Sequence, residues 1–344
     1  MSKSANAVLA RVRAMYGKRL TPLDYSNLLS CSSNAEIANY LKARTSYGEI
    51  FSPSAGIQIT AESIEFNLYK ELSNRLQKIC TFERMIDDKF YDYYVLKSDI
   101  QLIIDAARTL VSTSSLASSY IPGDFFEKRS ALNITKLYNA KSAAELIQAL
   151  EHTRYYPTAR KFIGVDGLFD FSMVEIHLAR FYAEQAKQNS KKLLDKKSAK
   201  ELEEIVDLEI DCLNIANIYR LKKLNTLPEL IAAKLIFEHG TIPKKRLIQM
   251  LEADSDFEFI SLLEKTKLGK NISLSDLIYP ESVFSKNIYK INKRYLRFSS
   301  NPDIAVITYI RLLQFEIENI THIVEGKRYN MTNEQISQFL IGIE

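Results

Sequence analysis

Glycine and proline are scarce in this sequence, which has ten Gly and eight Pro among 344 residues. Both numbers fall below the ordinary shares of about 7% and 5%. Few positions can therefore turn sharply or adopt a positive φ, which favours long helices. The prolines stand between periodic apolar segments rather than inside them, as helix geometry requires. Because convincing period-2 segments are also missing, the sequence predicts an all-α protein.

Cysteine and long apolar runs are equally limited. The three cysteines, Cys31, Cys80 and Cys212, lie far apart in apolar helical surroundings, so we expect reduced core residues and no disulfide framework. No run approaches the roughly 18 to 20 apolar residues of a membrane span, so we expect a soluble or peripheral chain. A net charge of +4 over this length gives no indication of a nucleic-acid partner.

Residue patterns that carry chemistry are mostly missing too. Gly164 and Gly167 lack the Lys-Ser/Thr of a phosphate-binding loop, which makes nucleotide binding unexpected. The four histidines have no Cys or carboxylate at metal-ligand spacing; they are His152, His177, His239 and His322. An aspartate-rich segment, Asp87-Asp88 with Asp92, leaves open an all-helical enzyme that binds a magnesium-diphosphate substrate. We otherwise expect no catalytic residue, no cofactor and no metal.

What the chain does contain is one helix signature written three times. It reads Ser-x-x-Glu, followed by an apolar residue and by Leu five positions after the Glu. The three copies are Ser33 to Glu36 with Leu41, Ser142 to Glu145 with Leu150, and Ser255 to Glu258 with Leu263. Each is typical of a capping box, in which Ser accepts from first-turn amides and Glu reaches back to the N-cap amide. A Thr follows the apolar residues of each copy: Thr45, Thr153 and Thr266.

A second signature recurs downstream of the first in the same order. Its members are Asp99-Ile100, Asn214-Ile215 and Asn319-Ile320, each with another Ile three positions on. Nine residues after the Asp or Asn stands a cation in every copy: Arg108, Lys223 and Arg328. Both signatures have a period of about 110 residues, which is too long for a solenoid repeat and fits three whole helical bundles.

The repeats and two polar connections set the predicted boundaries. The segment 112–123 is rich in Ser and ends in Pro-Gly, and 225–228 precedes the third copy. We therefore expect helical repeats at 1–122, 123–235 and 236–344. The expected arrangement is three similar helical bundles about a pseudo-threefold axis.

Several stretches of the chain also resemble a known family. The stretch Ala10-Arg11-Val12-Arg13-Ala14-Met15, with Asp24-Tyr25, Leu28-Leu29 and Thr45-Ser46-Tyr47-Gly48 after it, is similar to the opening of the C subunit of archaeal and bacterial V-type (A-type) rotary ATPases. The eukaryotic relative of that family is the d subunit of the vacuolar ATPase. The stretch Glu316-Ile317-Glu318-Asn319-Ile320, with Ile323, Gly326 and Lys327, resembles the end of the same family.

The resemblance implies a non-catalytic rotor part with a funnel-like shape. Such a part would link the D and F subunits of the central shaft to the membrane ring of ion-carrying (c/K-type) subunits, peripheral at the cytoplasmic face of the membrane. A helical scaffold unrelated to rotary ATPases is the alternative. For the repeated cations Arg108, Lys223 and Arg328 two interpretations stay open: stabilisation of helix C-termini by the dipole, or contact with an acidic surface of the shaft or ring.

Overall fold

The computed structural model of the protein describes residues 3–51, 59–82, 88–111, 129–164, 167–270, 272 and 280–343. Regular structure within these residues is α-helical, and the only extended pairing in them is an isolated antiparallel bridge between Ile163 and Phe169. The predicted all-α class is therefore confirmed.

The helices are numbered here in chain order. The first five are α1 (Lys3–Gly17), α2 (Pro22–Ser30), α3 (Asn34–Arg44), α4 (Ala61–Phe82) and α5 (Asp88–Thr109). The next six are α6 (Ile134–Asn139), α7 (Ala143–Ala149), α8 (Tyr156–Ala159), α9 (Phe171–Leu193), α10 (Lys196–Lys223) and α11 (Pro228–Ala232). The last five are α12 (Lys244–Glu252), α13 (Asp256–Glu264), α14 (Pro280–Phe298), α15 (Pro302–Arg328) and α16 (Asn333–Ser337).

The described residues group into two compact units. The first unit takes those of Met1–Tyr94, Ser118–Ser130 and Tyr289–Glu344, and the second takes those of Val95–Ala117 and Ala131–Ile288. In the first unit α15 packs along both α1 and α4. In the second unit α9 packs along α10, which also contacts α11 and α12. The division into three bundles at 1–122, 123–235 and 236–344 stays a prediction, as does their pseudo-threefold, funnel-like arrangement.

Three short helix pairs correspond to the first repeated signature: α2–α3, α6–α7 and α12–α13. Ser33, Ser142 and Ser255 are the N-caps of the second helix in each pair, and each Oγ accepts from the amide of the Glu three residues on. These predicted caps are confirmed. Replacing any one of them with Ala is expected to cost roughly 0.5 to 2 kcal/mol.

The glutamates of these caps bind one residue earlier than a capping box predicts. Glu36, Glu145 and Glu258 accept from the amides of Ser32, Lys141 and Asp254, which precede the N-cap residues, at 2.8, 2.9 and 3.0 Å. The prediction that each Glu reaches the N-cap amide was therefore wrong by one position. The carboxylate keeps its role as acceptor, and this bond lowers the pKa of Glu36.

Each short pair ends with the same threonine bond. The hydroxyls of Thr45, Thr153 and Thr266 donate to the carbonyls of Leu41, Leu150 and Leu263 at 2.5, 2.7 and 2.7 Å. The three leucines are fully buried. The carbonyls of Leu150 and Leu263 also accept from the amides of Thr153 and Thr266, so the repeated Thr closes the end of each pair.

The cysteines only partly match the expectation of core residues. Cys212 is buried in the core of the second unit, whereas Cys31 is half-buried at the C-cap of α2. Burial raises the pKa of both thiols. The side chain of Cys80 lies outside the described residues.

Candidate partner-binding site

The three repeated cations lie in the last turns of three long helices. Arg108 is in the last turn of α5, and Lys223 and Arg328 are the final residues of α10 and α15. A positive charge at this position interacts favourably with the partial negative charge of a helix C-terminus. The structure thus provides the helix geometry that the dipole interpretation requires.

Each of these cations also meets a carboxylate of the same chain. Lys223 Nζ lies 2.6 Å from Asp256 at the start of α13, and this hydrogen bond raises the lysine pKa. Arg328 Nη1 lies 3.2 Å from Glu62 in the first turn of α4. Arg108 lies 3.4 Å from Asp105 and 3.9 Å from Glu175 of α9. All three side chains are about half exposed, so a partner would meet cations that already have acidic neighbours.

The residues directly before Lys223 and Arg328 make a further contact, which the sequence analysis did not predict. Lys222 Nζ donates to the carbonyls of Leu251 and Ala253, at 2.6 Å each, where α12 ends. Lys327 Nζ donates to the carbonyl of Leu29, at 2.5 Å, where α2 ends. Both lysines therefore stabilise the C-terminus of a short helix, and both come eight residues after the repeated Asn.

The repeated asparagines form identical contacts in the two units. Asn214 Nδ2 donates to the carbonyl of Ile236 at 2.8 Å and its Oδ1 accepts from the Ile236 amide at 2.8 Å. Asn319 makes the same two bonds, also at 2.8 Å, with Ile341. Both side chains are fully buried. The second signature thus marks a place where a long helix holds the chain that follows it.

Buried carboxylates hold the turns that follow α3 and α7. Tyr47 donates to Glu316 of α15 at 2.7 Å, and Glu316 also accepts from the Leu20 amide at 2.7 Å. Tyr155 donates to Asp99 of α5 at 2.8 Å. Burial raises the pKa of Glu316 even though these donors favour its charged form. A Thr-x-Tyr spacing shared by Thr45 and Thr153 is the sequence signal that could have found both tyrosines.

The four histidines and the aspartate-rich segment are the residues that the sequence offered for chemistry. Among the described residues, no three His, Cys, Asp or Glu side chains are grouped so as to hold a metal ion. Asp87 lies outside the described residues, as do the side chains of Asp88 and Asp92. In the same described ranges, no helix combines the length and the apolar character that a membrane crossing requires.

These contacts define an all-helical repeat protein in which buried polar side chains attach short helices to long ones. The profile of the ATP synthase (C/AC39) subunit family matches residues 8–339. The chain therefore belongs to this family, and it is a subunit of a rotary ATPase or ATP synthase.

Curated relatives agree with the family over almost the whole length. The chain is 24% identical to the C subunit of the A-type ATP synthase of Methanosarcina mazei, across 97% of this chain and 91% of the relative. It is 23% identical to that of Archaeoglobus fulgidus, across 97% and 95%. Identity to that of Halorubrum lacusprofundi is 22%, across 99% and 98%. The predicted family resemblance is thus confirmed.

Proposed function

We propose that this chain is a non-catalytic rotor subunit, which joins the D and F subunits of the central shaft to the membrane ring of c/K-type subunits. It would transmit torque between ATP hydrolysis or synthesis and the transport of protons or sodium ions. The observation that carries the proposal is the family match over residues 8–339. The chain would be peripheral at the cytoplasmic face of the membrane, attached through the ring.

The contacts within each unit support a part that resists deformation. Long helices are tied to short ones by buried bonds such as Tyr47–Glu316, and to the chain that follows them by bonds such as Asn214–Ile236. An unsatisfied buried polar group costs about 1 to 3 kcal/mol, so opening any one of these attachments is unfavourable. Such resistance is what a torque-transmitting part needs, and it requires no reacting group.

The experiment that tests this role is reconstitution of the complex with and without the chain. We expect the soluble headpiece to hydrolyse ATP in both preparations, whereas ion transport into vesicles requires the chain and returns when it is added back. Calorimetry of the purified chain with ATP and magnesium should show no micromolar binding. Ion transport that persists without the chain would contradict the proposed role.

We further propose that Arg108, Lys223 and Arg328 together contact an acidic surface of the shaft or ring. Their half-exposed positions at equivalent helix ends support this assignment. Reversing all three charges should weaken binding of the D–F shaft or of the ring, and added salt should weaken wild-type binding.

A matched control reverses one exposed cation from each copy elsewhere on the surface. Lys42, Lys136 and Lys265 are exposed and suit this purpose. Circular dichroism must show that both triple variants are folded. Equal affinity of the two variants for both partners would leave stabilisation of the helix ends as the sole role of the three cations.

A further inference from the structure

Two turns of the chain have the same backbone, one in each unit. After α10, the amides of Leu224, Asn225 and Thr226 bind carbonyls of the last helical turns, and Asn225 has a φ of 51°. After α15, Tyr329, Asn330 and Met331 repeat these three bonds, and Asn330 has a φ of 54°. A one-turn helix follows each, α11 or α16, so the two segments can be compared position by position.

The two segments have the same residue at the equivalent buried position, but different residues at the exposed positions. Ile231 of α11 and Ile336 of α16 are equivalent and both are buried. At the N-cap of α16, Thr332 forms a capping box with Gln335. The equivalent residues of the other turn are Leu227, which caps α11 without a side-chain bond, and Leu230.

The fold of the chain leaves both leucines largely exposed to solvent. Leu227 is 63% exposed and Leu230 is 55% exposed. They stand three apart on one helical turn and so share a face. Since α16 shows that the same backbone accepts a polar capping pair, the two leucines are not needed to form the turn.

The leucines belong to a larger apolar surface of the second unit. Leu224, at the end of α10, is 68% exposed, and Phe257, in the first turn of α13, is 78% exposed. The contact between Lys223 and Asp256, the chain neighbours of these residues, brings the two helix ends together. We call Leu224, Leu227, Leu230 and Phe257 the leucine–phenylalanine patch. Exposed apolar residues gathered near one another mark interaction sites, unlike apolar residues scattered singly over a surface.

The exposed charges next to this patch are mainly acidic. Glu229 stands between the leucines in sequence, Glu258 follows Phe257, Asp254 precedes it by three residues, and Glu252 ends α12. Two cations lie on this side, and both already have partners: Lys222 binds two carbonyls, and Lys223 is paired with Asp256. A partner with complementary charge would therefore be basic around an apolar stripe.

We propose that the leucine–phenylalanine patch docks a basic amphipathic helix of another polypeptide. Its apolar side chains would cover Leu227, Leu230 and Phe257, and its lysines or arginines would face the acidic border. This helix-in-groove mode uses apolar anchors spaced three and four residues apart. The inference goes beyond the rotor role and does not depend on it, because it is drawn from the surface of one unit. It keeps Lys223 in its pair with Asp256, so a bound basic helix would exclude an acidic partner at Lys223.

Two synthetic helical peptides test the proposal on the full chain. Both carry Leu at positions i, i+3, i+4 and i+7, and the remaining positions are Lys in one and Glu in the other. Calorimetry should show binding of the Lys peptide at least tenfold tighter than that of the Glu peptide. Hydrogen exchange should slow at residues 224–230 and at α13 when the Lys peptide is present.

The key variant is Leu227→Thr with Leu230→Gln, which copies the residues of the equivalent turn and so preserves the fold. It should lose at least tenfold in affinity for the Lys peptide, and Phe257→Ala should lose affinity as well. Tyr329→Ala changes an equally exposed apolar residue at the position equivalent to Leu224 and should bind like the wild type.

Three results would overturn the proposal. The first is unchanged binding by the Leu227→Thr, Leu230→Gln variant. The second is equal binding of the Lys and Glu peptides. The third is a dimer in light scattering that this variant abolishes while the Lys peptide does not bind, which would assign the patch to a second copy of the chain.

Discussion

The first and third short helix pairs occupy equivalent places in the repeat and share a lysine attachment, but their second attachments use different chemistry. The pair α2–α3 is held to α15 by a buried tyrosine–glutamate bond, Tyr47–Glu316, and by Lys327 at the end of α2. The pair α12–α13 is held to α10 by Lys222 at the end of α12 and by the exposed Lys223–Asp256 pair. Leu268 stands near the position that Tyr47 has in the first copy.

This difference teaches that the repeat preserves where the short pairs attach, whereas only one of the attaching groups, the lysine at the end of the first short helix, is the same in both pairs. A buried carboxylate with two donors depends on every one of its bonds, because a buried charge without a partner is costly. A lysine on free carbonyls has a less demanding geometry, since an ammonium offers three donors. The first pair should therefore be the more sensitive to single substitutions, and the third the more tolerant.

The largest effect is expected for Tyr47→Phe. It removes a donor from the buried Glu316 and should lower the free energy of unfolding of the first unit by about 1 to 3 kcal/mol. Hydrogen exchange of α3 and α15 measures the loss. Tyr40→Phe is the matched control, because the Tyr40 hydroxyl also donates to a carboxylate, that of Asp24, but is only part-buried. Equal losses in the two variants would contradict the importance of burial.

A second comparison replaces the lysine that binds the end of each short pair, Lys222 for α12–α13 and Lys327 for α2–α3. Lys222→Met should destabilise the attachment of α12–α13 by about 1 to 2 kcal/mol, at the low end of the roughly 1.5 to 3 kcal/mol of hydrogen bonds to charged groups because Lys222 is only part-buried. Lys327→Met should change the protection of α2–α3 less, because Tyr47 still holds that pair. Hydrogen exchange of α12–α13 in the first variant and of α2–α3 in the second measures the two losses of protection, which are then compared. If α2–α3 opens as readily as α12–α13, the tyrosine–glutamate bond is not the dominant attachment.

A smaller, pH-dependent effect is expected at Glu316. Burial raises its folded pKa above the ordinary value of 4.5. The folded chain therefore holds this proton more tightly than the unfolded chain, and stability falls as pH rises from 4.5 towards the folded pKa. Glu316→Gln should lack this fall. The neighbouring Tyr47 does not titrate in this range, because its pKa is raised well above 10.0.

Urea unfolding of wild type and Glu316→Gln between about pH 4.5 and 7.5 measures this effect. The wild type should lose stability relative to the variant as pH increases. A difference between the two proteins that stays constant with pH would show that Glu316 keeps the same proton affinity on folding.

Local signals in the sequence predicted the three serine N-caps correctly, whereas contacts between residues far apart in the sequence could not be predicted from them. The caps at Ser33, Ser142 and Ser255 involve partners three residues away, so spacing alone identifies them. The partners Tyr47 and Glu316 are 269 residues apart, and Leu29 and Lys327 are 298 apart. Helical periodicity shows that such residues lie on a helix but not which helix they meet.

In the candidate site, too, the features set by local spacing could be predicted and the contacts with other helices could not. The last-turn position of Arg108, Lys223 and Arg328 follows from the repeat, because the same spacing from the buried Asp or Asn sets it. The acids Glu62, Glu175 and Asp256 could not be predicted, since they lie on other helices and have no shared spacing, whereas Asp105 is three residues before Arg108 on the same helix. The exposed Leu227 falls in the predicted linker 225–228, because a short segment next to Pro228 carries no periodicity.

The smallest effect is expected for the exposed pair Lys223–Asp256. Its side chains are 53% and 45% exposed, so water screens the interaction. Pairs of this kind contribute about 0.2 to 1 kcal/mol. Lys223→Met should therefore lower stability within that range at low salt, and the loss should shrink at high salt. A double-mutant cycle with Asp256→Asn isolates the pair from other effects. A coupling much larger than this range, and insensitive to salt, would make the ion pair a principal attachment of α12–α13 and remove the contrast with α2–α3.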